Sequence, residues 1–286
     1  MKISTSTGPY GSAADYLRHR YEIPAALPDL PLEDEPFVAL WRETSGKDVL
    51  YYLAEEFDLP VSDFDWERTG SLRITFADTL GGRLPVLMTG DHRDFCNLDA
   101  LLNGRQESME IPLTVNAFTM QTRAAGIFRH RVLLLNRAPY SNISAGVMGL
   151  AEDDWLDRSH RLRQRHECAH YETLRLFGSM RNHALDEILA DTLGQIAAFG
   201  SFDANRQRVF FGLIRGKSTC TGRLSFYCKD LKEADRPLIY HAVDAILDTV
   251  ADEVNSLLAQ KADDTTLLVS LAGTSLAQRL NDKDAR

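Results

Sequence analysis

From Ser71 the chain takes on the pattern of strands, its apolar residues alternating with polar ones in SLRITFA; after residue 151 they recur at threes and fours instead. Alternation is the signature of strands with one buried face, and the three–four spacing is that of helices. A strand-rich stretch with short helices around it, followed by a helical half, makes an α+β arrangement. In the first regime SLRITFA (71–77) and LPVLMT (84–89) flank the turn residues LGGR and read as a hairpin or adjacent strand pair. IPLTVNAFTM (111–120) and RHRVLLLNRAP (129–139) supply two more strands, the last stopped by proline. Short helices are expected at 13–21, 37–42, 48–57 and 95–102, with an extended proline-rich connector at 23–36 and a loose tail over residues 1–12.

In the second regime, residues 151–178 begin with acids and end at Gly178, as a helix dipole and a terminal glycine favour. They form one helix or two, broken near Ser159. Asn182 is the expected N-cap of a helix running to Phe199. A short helix is expected at 205–213, and a loop or hairpin at 217–230. Residues 236–260 form a long helix, with Asp235 as cap and an apolar seam of Ile239, Val243, Ile246, Val250, Val254 and Leu257. A last helix covers 266–280, before the charged end NDKDAR. The expected fold is a small mixed or antiparallel sheet in the N-terminal half packed on a mainly helical C-terminal half. By function the chain divides into an N-terminal region (1–110), a core (111–200) and a helical C-terminal region (201–286), possible as one continuous domain.

Within the first long helix stands His166-Glu167-Cys168-Ala169-His170. Residues four apart share a helix face, so the two imidazoles can grip one metal ion while Glu167 takes a proton from water activated there. On the next helix Glu187 can add a third ligand, and Asp191, one turn on, can orient a histidine. Three protein ligands and an open position are the catalytic zinc pattern. Asp186 is a less suitable third ligand, pointing about 100° away from Glu187. His183 shares the face of Glu187 as a rival ligand or oxyanion donor, although a satisfied, partly exposed histidine is the default reading. His19, His92, His130 and His160 fit no ligand spacing and read as surface or loop residues.

HExxH followed by a helix with ExxxD resembles the gluzincin metallopeptidases, and ExxAD (Glu187, Ala190, Asp191) is similar to the form in their compact members. The resemblance implies a zincin-like fold with the HExxH helix at the junction of sheet and helices. It implies Zn2+ held by His166, His170 and Glu187, with Glu167 as catalytic base and Asp191 orienting a histidine. VNAFT (115–119) resembles the Asn-Ala-Phe edge strand bordering the active-site cleft, which makes Asn116, Ala117 and Phe118 candidates for binding extended peptide by strand addition. The likeness covers roughly 113–199. The stretch 137–159 is longer than in compact members, and no motif marks the oxyanion-stabilising residue, for which Tyr227, Tyr240, His241 and His183 are candidates.

The leading expectation is a zinc-dependent hydrolase of peptide bonds, with a peptide or protein substrate. The alternatives are a zinc enzyme acting on a non-peptide amide, or a non-catalytic zinc-containing interaction protein. A net charge of −9 argues against nucleic acid as partner. No apolar run reaches the roughly 18 residues of a membrane helix, and the N-terminus lacks the apolar stretch of a secretory signal. The expected setting is therefore cytoplasmic, without membrane attachment. The four cysteines form no CxxC pair, which disfavours a disulfide framework.

Overall fold

The computed structural model describes residues 10–284; residues 1–9 of the tail expected over 1–12, and the final two residues, lie outside them. In chain order the elements are α1 (Ala13–Arg18), β1 (Thr44–Ser45), α2 (Asp48–Phe57), β2 (Arg73–Ala77), β3 (Leu84–Thr89), α3 (His92–Leu102), β4 (Ala117–Gln121) and β5 (Arg131–Asn136). There follow α4 (Ala145–Met148), α5 (Glu152–Phe177), α6 (Ala184–Phe199), α7 (Ala204–Phe211), α8 (Leu224–Tyr227), α9 (Arg236–Ala259), α10 (Asp264–Gly273) and α11 (Leu276–Asp284). The fold is α+β: a five-stranded mixed sheet in the N-terminal half and a mainly helical C-terminal half. Among the described residues no helix is long and apolar enough to cross a membrane.

Two compact units divide the chain. One is Pro28–Cys168; the other joins the residues up to Leu27 with those from Ala169 onward. The first holds the sheet, in the order β1-β2-β3-β5-β4, with β3 and β5 parallel and the other pairs antiparallel. All six residues of β5 are buried, as a strand with neighbours on both edges and cover on both faces requires. One sheet face presents Ile74, Leu87, Val132 and Leu134 to Val49, Leu53 and Phe57 of α2 and Phe95, Leu98 and Leu101 of α3. The opposite face carries Val86, Leu133 and Leu135 and, on β4, Thr119. Helix α3 starts at His92, three residues before the expected Phe95, because the Asp91 side chain accepts from Arg93 N and Asp94 N as its cap.

The second unit is helical, with α9 packed on α7 and α11 and α10 packed on α6. Expectation and structure differ at two points here, the cap of α6 and the last helix. His183, not Asn182, is the N-cap of α6, its Nδ1 accepting from Leu185 N. The expected single helix at 266–280 is two, because Ser275 and Gln278 exchange reciprocal side-chain-to-backbone bonds of 2.9 and 3.2 Å, a capping box that starts α11. Residues 217–230 form a loop, closed by one antiparallel bridge between Leu213 and Cys220, that ends in the short α8.

Candidate metal centre

Helix α5 runs unbroken for 26 residues, from the first unit into the second, with Glu152, Asp153 and Asp154 in its first turn. Ser159 does not interrupt it: the hydroxyl is buried and accepts the Tyr140 amide at 2.9 Å. This continuity fixes His166 and His170 one turn apart on one face. Both are buried, as is Glu187 in the first turn of α6. Each of the three offers a ligand atom, all within 4.8 Å of one another, so the group could hold a metal ion. His170 Nε2 lies 3.5 Å from Glu187 Oε1. Two ligands at roughly 2.0–2.1 Å from one tetrahedral ion stand about 3.3 Å apart, so this spacing suits a small divalent cation.

The surrounding bonds prepare the ligands. The Tyr140 hydroxyl sits 3.1 Å from His166 Nδ1, which directs the other ring nitrogen, Nε2, to the ligand role. Tyr227 hydrogen-bonds Glu187; burial, and then the Glu187 charge, push its phenol well above its ordinary value, so it stays protonated and donates. Arg223 Nη1 lies 3.7 Å from Glu187 Oε2, and Nη2 pairs directly with Asp191 Oδ2. Asp191 is fully buried and also accepts from Gln207 Nε2 at 2.5 Å. Arg223 is brought here by a close backbone approach: a Cβ built on Gly212, whose φ is +72°, would stand 2.2 Å from the amide nitrogen of Gly222. Arg223 thus faces two of the carboxylates gathered here, Glu187 and Asp191.

Glu167 is held by β4. Its Oε2 accepts from the Thr119 amide at 3.1 Å and the Thr119 hydroxyl at 2.7 Å, while Oε1 has no protein partner among the described residues. That amide points away from β5, so it belongs to the open edge of the sheet, where β4 is the terminal strand. Ala117, two residues earlier, has the same orientation. Asn116 is buried, and its side chain bonds Leu113 O and Asn136, so it braces the start of the strand. Phe118 stacks on Phe95 at 5.5 Å in the core face.

The remaining candidates lie elsewhere. His241 is exposed. Burial and the nearby Cys228, Cys220 and Arg236 are what act on Tyr240. His183 is fully buried rather than partly exposed, and both its nitrogens are used: Nε2 donates to Tyr16 O at 3.0 Å and Nδ1 accepts from Leu185 N at 2.9 Å.

His19, read from the sequence as a surface or loop residue, lies just past α1 outside any helix or strand but is buried, grouped with His183 and Asp186. These three form a second group whose positions could hold a metal ion. His19 Nε2 and His183 Nδ1 lie 3.7 and 3.9 Å from Asp186 Oδ2. Arg181 donates to His19 Nδ1 at 3.1 Å, which leaves the imidazole proton on Nε2, the atom that would have to ligate. Asp186 Oδ1 accepts from the Tyr21 hydroxyl and from Arg181 N.

Tyr140, Thr119, Gln207 and Arg223 have no spacing relation to HExxH, and sequence reasoning missed them; only the threonine, next to Asn-Ala-Phe, stood beside a recognised motif. The chain belongs to the family of unknown function DUF7005, which it matches over residues 116–282, a span that includes His166, Glu167, His170, Glu187 and Arg223. No curated protein and no solved structure matches it.

Proposed function

We propose that this protein is a zinc-dependent hydrolase cleaving peptide bonds, as its resemblance to the gluzincins suggests. The observation that carries the reading is the convergence of His166, His170 and Glu187, with Glu167 beside them. A divalent ion in that donor set supplies the Lewis acidity that polarises a carbonyl and lowers the pKa of water. The chain's own residues do the rest. Glu167, held through Oε2 by Thr119, offers Oε1 to accept a proton from the attacking water and to return it to the leaving amine. Tyr140 orients His166, and Asp191 with Arg223 and Tyr227 steadies Glu187. The edge of β4 at Ala117, beside the Thr119 amide that Glu167 takes, suits an extended peptide added as a further strand.

The test is E167Q, assayed for zinc by elemental analysis and for turnover of a denatured-protein pool. Zinc content is expected to persist while cleavage falls by about 10²–10⁴-fold, the span typical of a lost general base. Undiminished cleavage by E167Q would overturn the reading.

A further inference from the structure

On the sheet face that carries Thr119, the parallel strands β3 and β5 end side by side at Thr89 and Asn136. A cavity of about 620 Å³ opens there, floored by Met88 and Leu135, one from each strand. Its rim is basic: Arg137 follows β5 directly, and His160 and Arg161 come from α5. The single carboxylate in the lining is Asp157, which accepts from Arg137 Nη2 at 2.8 Å. That hydrogen bond holds the Asp157 carboxyl below its ordinary value. Two guanidiniums therefore face one carboxylate, in a chain whose net charge is −9. Burial, and then Arg163 and Arg137, push His160 down from its ordinary value, so at neutral pH it is an uncharged donor or acceptor.

These features together define a ligand. The volume is that of a small-molecule site, and the carboxyl ends of parallel strands are a recurrent place for one. Arginine pairs recognise planar or tetrahedral oxyanions through several charge-assisted bonds. The Met88–Leu135 floor suits a short hydrocarbon body. We propose that this cavity binds a small organic anion, through a carboxylate or phosphate group seated between Arg137 and Arg161 with its apolar part on the strand ends. His160 precedes Glu167 by seven residues, about 10 Å along α5, so the site is separate from the metal residues and does not depend on the hydrolase reading.

Calorimetric titration of the full chain with inorganic phosphate and with glutarate, at ionic strength matched with chloride, tests this and separates the two anion types. Saturable binding of at least one probe is expected. Arg137 and Arg161 are solvent-accessible, so R137Q and R161Q should fold, and each should bind roughly tenfold more weakly. D157N releases Arg137 from its internal partner and should bind more tightly, a gain that damaged folding cannot mimic. Absence of saturable binding of either probe, or equal binding by wild type, R137Q and R161Q, overturns the proposal.

Discussion

Asp186 and Glu187 are neighbours on α6, yet each belongs to a different pair of buried histidines. Around Glu187, the Tyr140 hydroxyl occupies Nδ1 of His166 and leaves Nε2 for an ion. Around Asp186, Arg181 and the backbone have already claimed the imidazole lone pairs: His19 receives Arg181, and His183 caps α6. Two histidines and an acid are therefore not a metal site by composition. What separates the clusters is where the second nitrogens of His166, His19 and His183 are bonded.

The sharpest way to break this contrast is to exchange the roles of the two acids. E187A is expected to lower bound zinc from about one per chain to none, and to remove the stabilisation zinc confers, about 4 kcal/mol at a thousandfold excess over Kd. Urea unfolding with and without chelator measures it, and D186A should keep its zinc. Zinc lost from D186A but retained by E187A would invert the assignment. D186A should instead destabilise the metal-free protein by about 3 kcal/mol, because the buried Tyr21 and Arg181 bonds lose their acceptor. A smaller effect is expected from pH. Burial, and then His19, hold His183 well below its ordinary value of 6.5, so the unfolded chain binds a proton that the folded one refuses. Stability should be fully present above about pH 6.5 and decline as the pH falls below it, by at most ~1.4 kcal/mol per pH unit for one proton. H183N should flatten that slope. On the Glu187 side, T119V is expected to reduce cleavage roughly tenfold through loss of one bond to a charged carboxylate, with T119S near wild type. Equal rates in T119V and T119S would remove Thr119 from the mechanism.

Much of this was legible from spacing alone. Helix α2 begins and ends where its apolar stripe does, β2 and β3 pair across the LGGR turn as expected, and HExxH with Glu187 falls on two successive helices. Spacing is a local property, and local reading failed where a longer-range bond or a competing cap decided the outcome. Ser159 invited a break in α5, but its hydroxyl is spent on Tyr140. Asn182 is a better intrinsic cap than histidine, yet the stacking of His183 on Tyr16 at 3.8 Å, with bonds from both ring nitrogens, outweighs that preference. Ser275-x-x-Gln278 was a readable start signal, masked by the apolar continuity of Leu267 through Leu276. His19 joins its cluster from more than 160 residues away, with no periodicity to announce it.

The contact between Gly212 and Gly222 has a consequence for how this chain can vary. A methyl group on either residue would collide with the main chain of the other segment and pry open the turn that delivers Arg223 and Tyr227. Neither position touches a histidine, and both lie in irregular chain, where drift is ordinarily tolerated. Here the grip on Glu187 is inherited from two missing side chains, so a one-carbon change at the end of α7 or in that loop would reach the acid on α6.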